Sequence, residues 1–139
     1  MAITVIYRMA GQPNEGTSSG FTDVKSNDYF AKAVTWGKNH KIVSGTSSTT
    51  YSPNQNVTKE QFVLMLYNYA KYKGKNLTAS GDLNKFTDGN DVSTYAKTAM
   101  KWAIGNKIVS GNNGKLNPKS TTTRAELCVM INKYYNKFG

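Results

Sequence analysis

Trp36-Gly37-Lys38-Asn39-His40-Lys41-Ile42-Val43-Ser44-Gly45 recurs as Trp102-Ala103-Ile104-Gly105-Asn106-Lys107-Ile108-Val109-Ser110-Gly111. Self-similarity at a fixed period outranks other sequence signals, because it marks a chain built from repeated supersecondary units. Outward from this echo the register holds. Phe21-Thr22-Asp23 returns as Phe86-Thr87-Asp88, and Tyr51-Ser52-Pro53 pairs with Leu116-Asn117-Pro118. Val57-Thr58-Lys59-Glu60-Gln61 pairs with Thr122-Thr123-Arg124-Ala125-Glu126. The offset stays at about 65 or 66, with one extra residue near Gly89-Asn90 and one fewer before Leu116.

A third copy is present in part. Met1 to Ala10 aligns with Gln61 to Ala70, so the chain begins inside the last helix of an earlier copy and is expected to be a fragment of a longer protein. Residues 1–12 are read as that helix and 13–20 as a Gly-containing polar linker. Residues 21–73 form one repeat, 74–85 a second linker and 86–139 the last repeat.

Each full copy reads as helix, loop, helix. The first helix is expected over Asp28 to Asn39, with Tyr29, Phe30, Ala33, Val34 and Trp36 on an apolar stripe; Tyr95, Ala96, Ala99, Met100 and Trp102 repeat it. Ile-Val-Ser-Gly then leaves the helix, and Gly45 or Gly111 can take the positive φ of a tight exit. The second helix carries its own start signal. Thr58 can cap it, with Gln61 completing a capping box and Val57 and Phe62 at the staple positions; Thr123 and Glu126 repeat the box. Phe62, Val63, Leu66, Tyr69 and Ala70 share one face, mirrored by Leu127, Met130, Ile131, Tyr134 and Tyr135. Pro53 and Pro118 stiffen the loops leading in.

The 139 residues carry 18 Lys or Arg against eight Asp or Glu, a formal charge of +10. That excess favours polyanions: nucleic acid, anionic lipid or an acidic wall polymer. Cys128 is the single cysteine, so neither an intrachain disulfide nor a thiolate metal cluster can form, and its apolar setting predicts a buried, inert thiol. No apolar run approaches the ~20 residues of a membrane span. Met1 to Arg8 is too short and wrongly flanked for a signal peptide.

Enzyme chemistry is poorly provided for. His40 is the sole histidine and lies at a helix end, with no Ser or Cys plus acid beside it in sequence. There is no phosphate-cradling Gly loop before a helix and no His-Glu zinc pattern. Asp88-Gly89-Asn90-Asp91 is acidic but lacks the ligand spacing of a calcium loop.

The ordered set Phe-x-Asp-Val (Phe21, Asp23, Val24), the first-helix Trp, Ile-Val-Ser-Gly, aromatic-x-Pro and Thr-Arg-Ala-Glu (Thr123 to Glu126) resembles the S-layer homology family over nearly the whole chain. The resemblance implies an all-α fold of tandem helix-loop-helix repeats. The second helices would cluster as a central three-helix bundle about a pseudo-threefold axis. It further implies a non-catalytic module without cofactor or metal, on the outer surface of a bacterium. There it would hold an anionic, pyruvylated secondary cell-wall polysaccharide non-covalently in grooves between repeats. The alternative is a divergent tandem that serves as a protein–protein interaction module, using exposed tyrosines such as Tyr72 or Tyr135. Neither nucleic-acid recognition nor membrane insertion is implied.

Residue by residue, Arg124 holds the cationic place of Thr-Arg-Ala-Glu, where a guanidinium can grip a carboxylate through two hydrogen bonds. Lys59 holds it in the preceding copy, keeping the charge without the fork. A cation in a helix's first turn also lies near free backbone N–H groups that favour anions. Trp36 and Trp102 would either wall a groove beside the sugar or anchor the core between helices. Asp23 and Asp88 would brace their turns or contact the ligand. Gly89 departs from the pattern, standing where the family motif has Val.

Overall fold

The computed structural model describes residues 2–43, 49–52, 56–78, 80–111 and 113–138. Its elements are helices α1 (Ala2–Met9), α2 (Ala31–Asn39), α3 (Lys59–Tyr72), α4 (Lys97–Gly105) and α5 (Arg124–Phe138), with short 3₁₀ turns between residues 83 and 96. Among the described residues there is no strand, only a single antiparallel bridge between Thr58 and Thr121. The fold is all-α. No described helix is long and apolar enough to cross a membrane.

Two compact units divide the chain, Met1–Gln55 and Asn56–Gly139. The division does not follow the sequence copies. Each unit joins the second helix of one copy to the first helix of the next: α1 with α2 in one, α3 with α4 in the other. The repeat alignment explains why. Tyr7 of α1 and Tyr67 of α3 occupy equivalent places, as do Trp36 of α2 and Trp102 of α4. Tyr7 lies 5.6 Å from Trp36 between ring centroids, and Tyr67 lies 5.5 Å from Trp102. The same tyrosine–tryptophan contact therefore seals both helix pairs.

In the first unit α1 buries Ala2, Ile3, Ile6 and Tyr7, a face with the i, i+3, i+4 spacing of an amphipathic helix. Against it α2 buries Ala33, Val34, Trp36 and Gly37. Gly37 permits the close approach, since a β-carbon there would stand 3.0 Å from Ile3 Cδ1. Tyr29, expected on this stripe, is 79% exposed, and its counterpart Tyr95 is 55% exposed. Both precede the first turn of their helices, so helical phasing does not apply to them. The start at Ala31 instead of Asp28 has a local cause. The Asp28 carboxylate accepts the Lys25 N–H at 2.8 Å, closing a turn that the helix can only follow.

In the second unit α3 buries Phe62, Val63, Met65, Leu66, Tyr69 and Ala70, which includes every member of the expected face. Its capping box is complete. Gln61 N–H donates to Thr58 Oγ1 (3.3 Å), and Thr58 N–H donates to Gln61 Oε1 (3.0 Å). Helix α5 joins through Tyr134, whose ring lies 5.8 Å from Tyr69, and Phe138, stacked on Trp102 at 5.9 Å. Only Met130 and Tyr134 of α5 are buried. Tyr135, expected on the core face, is 57% exposed. Cys128 is also exposed, against the expectation of a buried thiol. Its α3 counterpart, Val63, is buried, so equivalent places in the repeat are not equally covered.

The exits from the first helices use lysine in the left-handed region, Lys41 at φ 61° and Lys107 at φ 60°. Ile42 N–H reaches back to Gly37 O (2.7 Å) and Lys41 N–H to Lys38 O (3.1 Å); Ile108 to Ala103 (2.8 Å) and Lys107 to Ile104 (3.0 Å) repeat the pattern. These are Schellman closures, and the isoleucine after each is buried, supplying the accompanying apolar contact. Gly111 does take a positive φ, 78°, further along the loop. Gly45 and Pro53 lie outside the described residues.

Gly89 is required by contact. Its N–H donates to Phe86 O as Val24 N–H donates to Phe21 O, so it holds Val24's backbone place. A β-carbon there would stand 2.1 Å from Leu83 O. Three residues later Val92 is buried, as Val24 is in the preceding copy.

Candidate functional site: a cleft in the second unit

Asp23 and Asp88 act alike. Asp23 accepts the Tyr51 and Ser52 N–H groups at 2.8 and 2.7 Å; Asp88 accepts those of Leu116 and Asn117, both at 2.8 Å. The backbone bonds hold the Asp23 carboxyl below its ordinary value. For Asp88 burial pushes the other way, but the two amides and Lys115 outweigh it and the net direction is again down. Each carboxylate thus fixes the loop that returns toward the second helix. In both loops the second amide belongs to a left-handed residue, Ser52 at φ 61° and Asn117 at φ 53°.

Asn117 opens onto a cleft of about 490 Å³. One wall is the Ile108, Val109, Ser110 and Gly111 segment, and the other is α5 from Ala125 and Glu126 through Val129 and Met130 to Lys133. Ser120 lines it too, and Lys59 reaches in from the first turn of α3. The cleft therefore lies at a seam between sequence copies, since Lys59 belongs to one copy and the remaining lining to the next. Its size and its mix of apolar walls with a few polar groups suit a small organic ligand.

One pair of opposite charges lies inside the cleft. Lys59 Nζ lies 3.4 Å from Glu126 Oε2, with the lysine side chain 15% exposed. Glu126 Oε1 accepts the Thr123 hydroxyl at 3.1 Å, and Glu126 N–H donates to Thr123 Oγ1 at 3.1 Å. Partial burial would raise the Glu126 carboxyl, but Thr123 and Lys59 outweigh it and hold it below the usual range. So the second capping box departs from the first: the glutamate turns to the threonine hydroxyl and to Lys59.

The first turn of α3 is not an open anion site. Lys59 N–H donates to Ser120 O (2.9 Å), Glu60 N–H to Pro118 O (3.0 Å), and Gln61 N–H to its cap. This corrects the expectation of free amides beside Lys59. Glu60, 2% exposed, turns inward and accepts Ser93 N–H (2.8 Å) and the Ser93 hydroxyl (2.7 Å). Nothing in the repeat pattern flagged it, because Ala125 stands at its place in the next copy.

Of the six residues singled out from sequence, Lys59 lines the cleft. Arg124 is exposed in the first turn of α5, one residue before the lining Ala125. Asp88 acts on the cleft through the Asn117 backbone. Trp102 is 1% exposed in the core of the second unit, and Trp36 is fully buried in that of the first. Asp23 braces a loop of the first unit. Lys133, Ser110 and Ser120 were missed. For Lys133 the signal was its spacing, since Glu126, Met130 and Lys133 follow the i, i+4, i+7 pattern of one helix face.

A family model described as the S-layer homology domain matches residues 20–63 and 85–128. The chain is 29% identical to the surface-layer 125 kDa protein of Lysinibacillus sphaericus, over 81% of this chain and 10% of that protein. It is likewise 29% identical to the amylopullulanase of Thermoanaerobacterium thermosulfurigenes, over 97% of this chain and 7% of the enzyme. An endoglucanase of a Bacillus species shares 29% identity over 65% of this chain and 10% of its own length. The chain thus spans about a tenth of the length of these relatives. No solved structure matches it. The matched residues carry the Phe-x-Asp turn, the helix-pairing tryptophan and the capping segment of both copies, and the chain belongs to the S-layer homology family, whose domains anchor surface proteins to the bacterial cell wall.

Proposed function

We propose that the chain tethers an attached protein by binding an anionic, pyruvylated secondary wall polysaccharide without catalysing any reaction. The observation that carries this reading is the cleft at the seam of two copies. It combines cations with apolar walls and short hydroxyl and amide side chains. A sugar ring presents an apolar face, suited to Val109, Val129 and Met130, and hydroxyls suited to Ser110, Asn117 and Ser120. A ketal-linked pyruvate adds a carboxylate, which the excess of lysine over glutamate in the lining and the neighbouring Arg124 attract. Asp88 and Trp102 enter as supports, one fixing Asn117 and the other the helix packing beneath; Asp23 and Trp36 have the same roles in the first unit.

The test is co-sedimentation with purified wall sacculi. Binding is expected to survive removal of wall proteins and to vanish when the secondary polymer is chemically stripped. Equal retention on bare peptidoglycan would refute the reading.

One observation favours a second reading, a protein-docking role: Val129 and Tyr135 of α5 are 50% and 57% exposed, and Tyr72 is 42% exposed. An Arg124→Ala, Lys59→Ala double variant that still binds sacculi normally would favour it or a different groove.

A further inference from the structure

We infer that Lys133 is the anion-binding cation of this cleft, and that Lys59 serves mainly to neutralise Glu126. The inference rests on the wall-polymer reading and assigns the charge within the site.

Three charged side chains line the cleft: Lys59, Glu126 and Lys133. Lys59 and Glu126 are within ion-pair distance at 3.4 Å, so together they present no net charge to an incoming acid. To use Lys59, an anion would have to displace Glu126 and then lie beside it. Lys133 carries no such burden. It is exposed, and among the described residues it makes no ion pair. Among the described lining residues this leaves one positive charge without an acidic partner, which suits a ligand segment with a single negative group; Arg124 lies beside the lining, not in it.

Position adds direction. Lys133 stands seven residues after Glu126 on α5, about 10 Å along the axis at 1.5 Å per residue. Val129 and Met130 lie between them, facing Ile108 and Val109 among the lining residues. The cleft therefore has an acid-accepting end at Lys133 and an apolar middle. Its other end carries Glu126, which can accept sugar hydroxyls while Lys59 keeps it from repelling the ligand. The repeat itself gave no hint of this, since Asn68 stands at the Lys133 place in the preceding copy.

The experiment is calorimetric titration of the full chain with purified pyruvylated wall polymer, after melts show that each variant folds. Lys133→Gln is expected to weaken binding by about tenfold or more, as loss of a charge-assisted contact does. Lys59→Gln alone weakens it as well, because Glu126 is then an unpaired negative group in the cleft. Adding Glu126→Gln restores binding to within about threefold of wild type, while the same addition does not rescue Lys133→Gln. If Lys133→Gln binds within about twofold of wild type, or the Lys59→Gln, Glu126→Gln pair stays as weak as Lys59→Gln, the assignment fails and the wall-polymer reading stands. A wild-type chain that ignores the polymer sinks both.

Discussion

Replacing Glu60 with alanine is expected to be among the most damaging single substitutions in the second unit. Its carboxylate is 2% exposed and accepts two short bonds from Ser93, 2.8 Å from the amide and 2.7 Å from the hydroxyl. The Tyr95 hydroxyl adds a longer contact at 3.4 Å. Lys119 lies 3.6 Å away but is 62% exposed, so solvent screens that pair and it adds little. Two hydrogen bonds to a charged acceptor, at about 1.5 kcal/mol each, give a loss of about 3 kcal/mol. For a unit of this size each kcal/mol moves the melting temperature by roughly 4–8 °C, so the shift is about 12 °C or more. Glu60→Gln keeps the shape and one acceptor, and should lose about half as much. A double-mutant cycle with Ser93→Ala isolates the contact, with an expected coupling of about 1 kcal/mol or more. Thermal melts followed by circular dichroism read the four proteins of the cycle and Glu60→Gln. A Glu60→Ala loss below about 0.5 kcal/mol, or no coupling to Ser93, would refute the reasoning.

Because Asp23 and Asp88 have folded-state pKa values below the ordinary range, the stability they give is present at neutral pH and is lost as acid protonates them. Asp23→Asn and Asp88→Asn should each lower stability at pH 7 and flatten its decline below the usual carboxylate range; a parallel, undiminished decline in denaturant titrations would contradict this. Gly89→Ala drives a β-carbon into Leu83 O and should cost about 3 kcal/mol or more, whereas Gly74→Ala, in open space at φ 70°, should cost about 1 kcal/mol. Urea unfolding compares the two, and similar costs would count against the contact. Cys128 should react with a thiol reagent in the native protein at nearly the rate of an unfolded control. Protection until unfolding would show that its face of α5 is covered.

Much of the fold was legible because the repeat supplies two independent readings of each feature. The Thr58–Gln61 box, the buried face of α3 and the paired roles of Asp23 and Asp88 all follow from local chemistry: a cap, a helical period, a short side chain beside a turn. The misreadings involve what lies outside the helix's own period. Tyr29 and Tyr95 look like stripe residues until the true helix start places them before it. Cys128 has apolar neighbours in sequence and Tyr135 shares the period of the expected core face, yet burial depends on a facing helix, and periodicity does not say which face is met. The pairing of α1 with α2 and α3 with α4 crosses the copy boundary, so repeat units read along the chain differ from packed units in space.

The cleft was legible in its motifs but not in its assembly. Ile108 to Gly111 was read as a helix exit, and the same backbone also forms a wall. Lys59 was placed by the Thr-Lys-Glu-Gln segment, while its neutralisation by Glu126 required knowing that the two first turns approach. Glu60 carried no motif at all. A buried acid at a helix start is indistinguishable in sequence from a solvated one until Ser93, 33 residues away, is found against it.

The function proposed above has a carboxylate on a wall glycan held in the basic cleft where two copies meet. It is tested most directly by titrating the chain with one wall polymer before and after mild acid removes the ketal pyruvate. Saturable binding to the intact polymer is expected, with a loss of about tenfold or more without pyruvate. Equal affinity for both forms would contradict it.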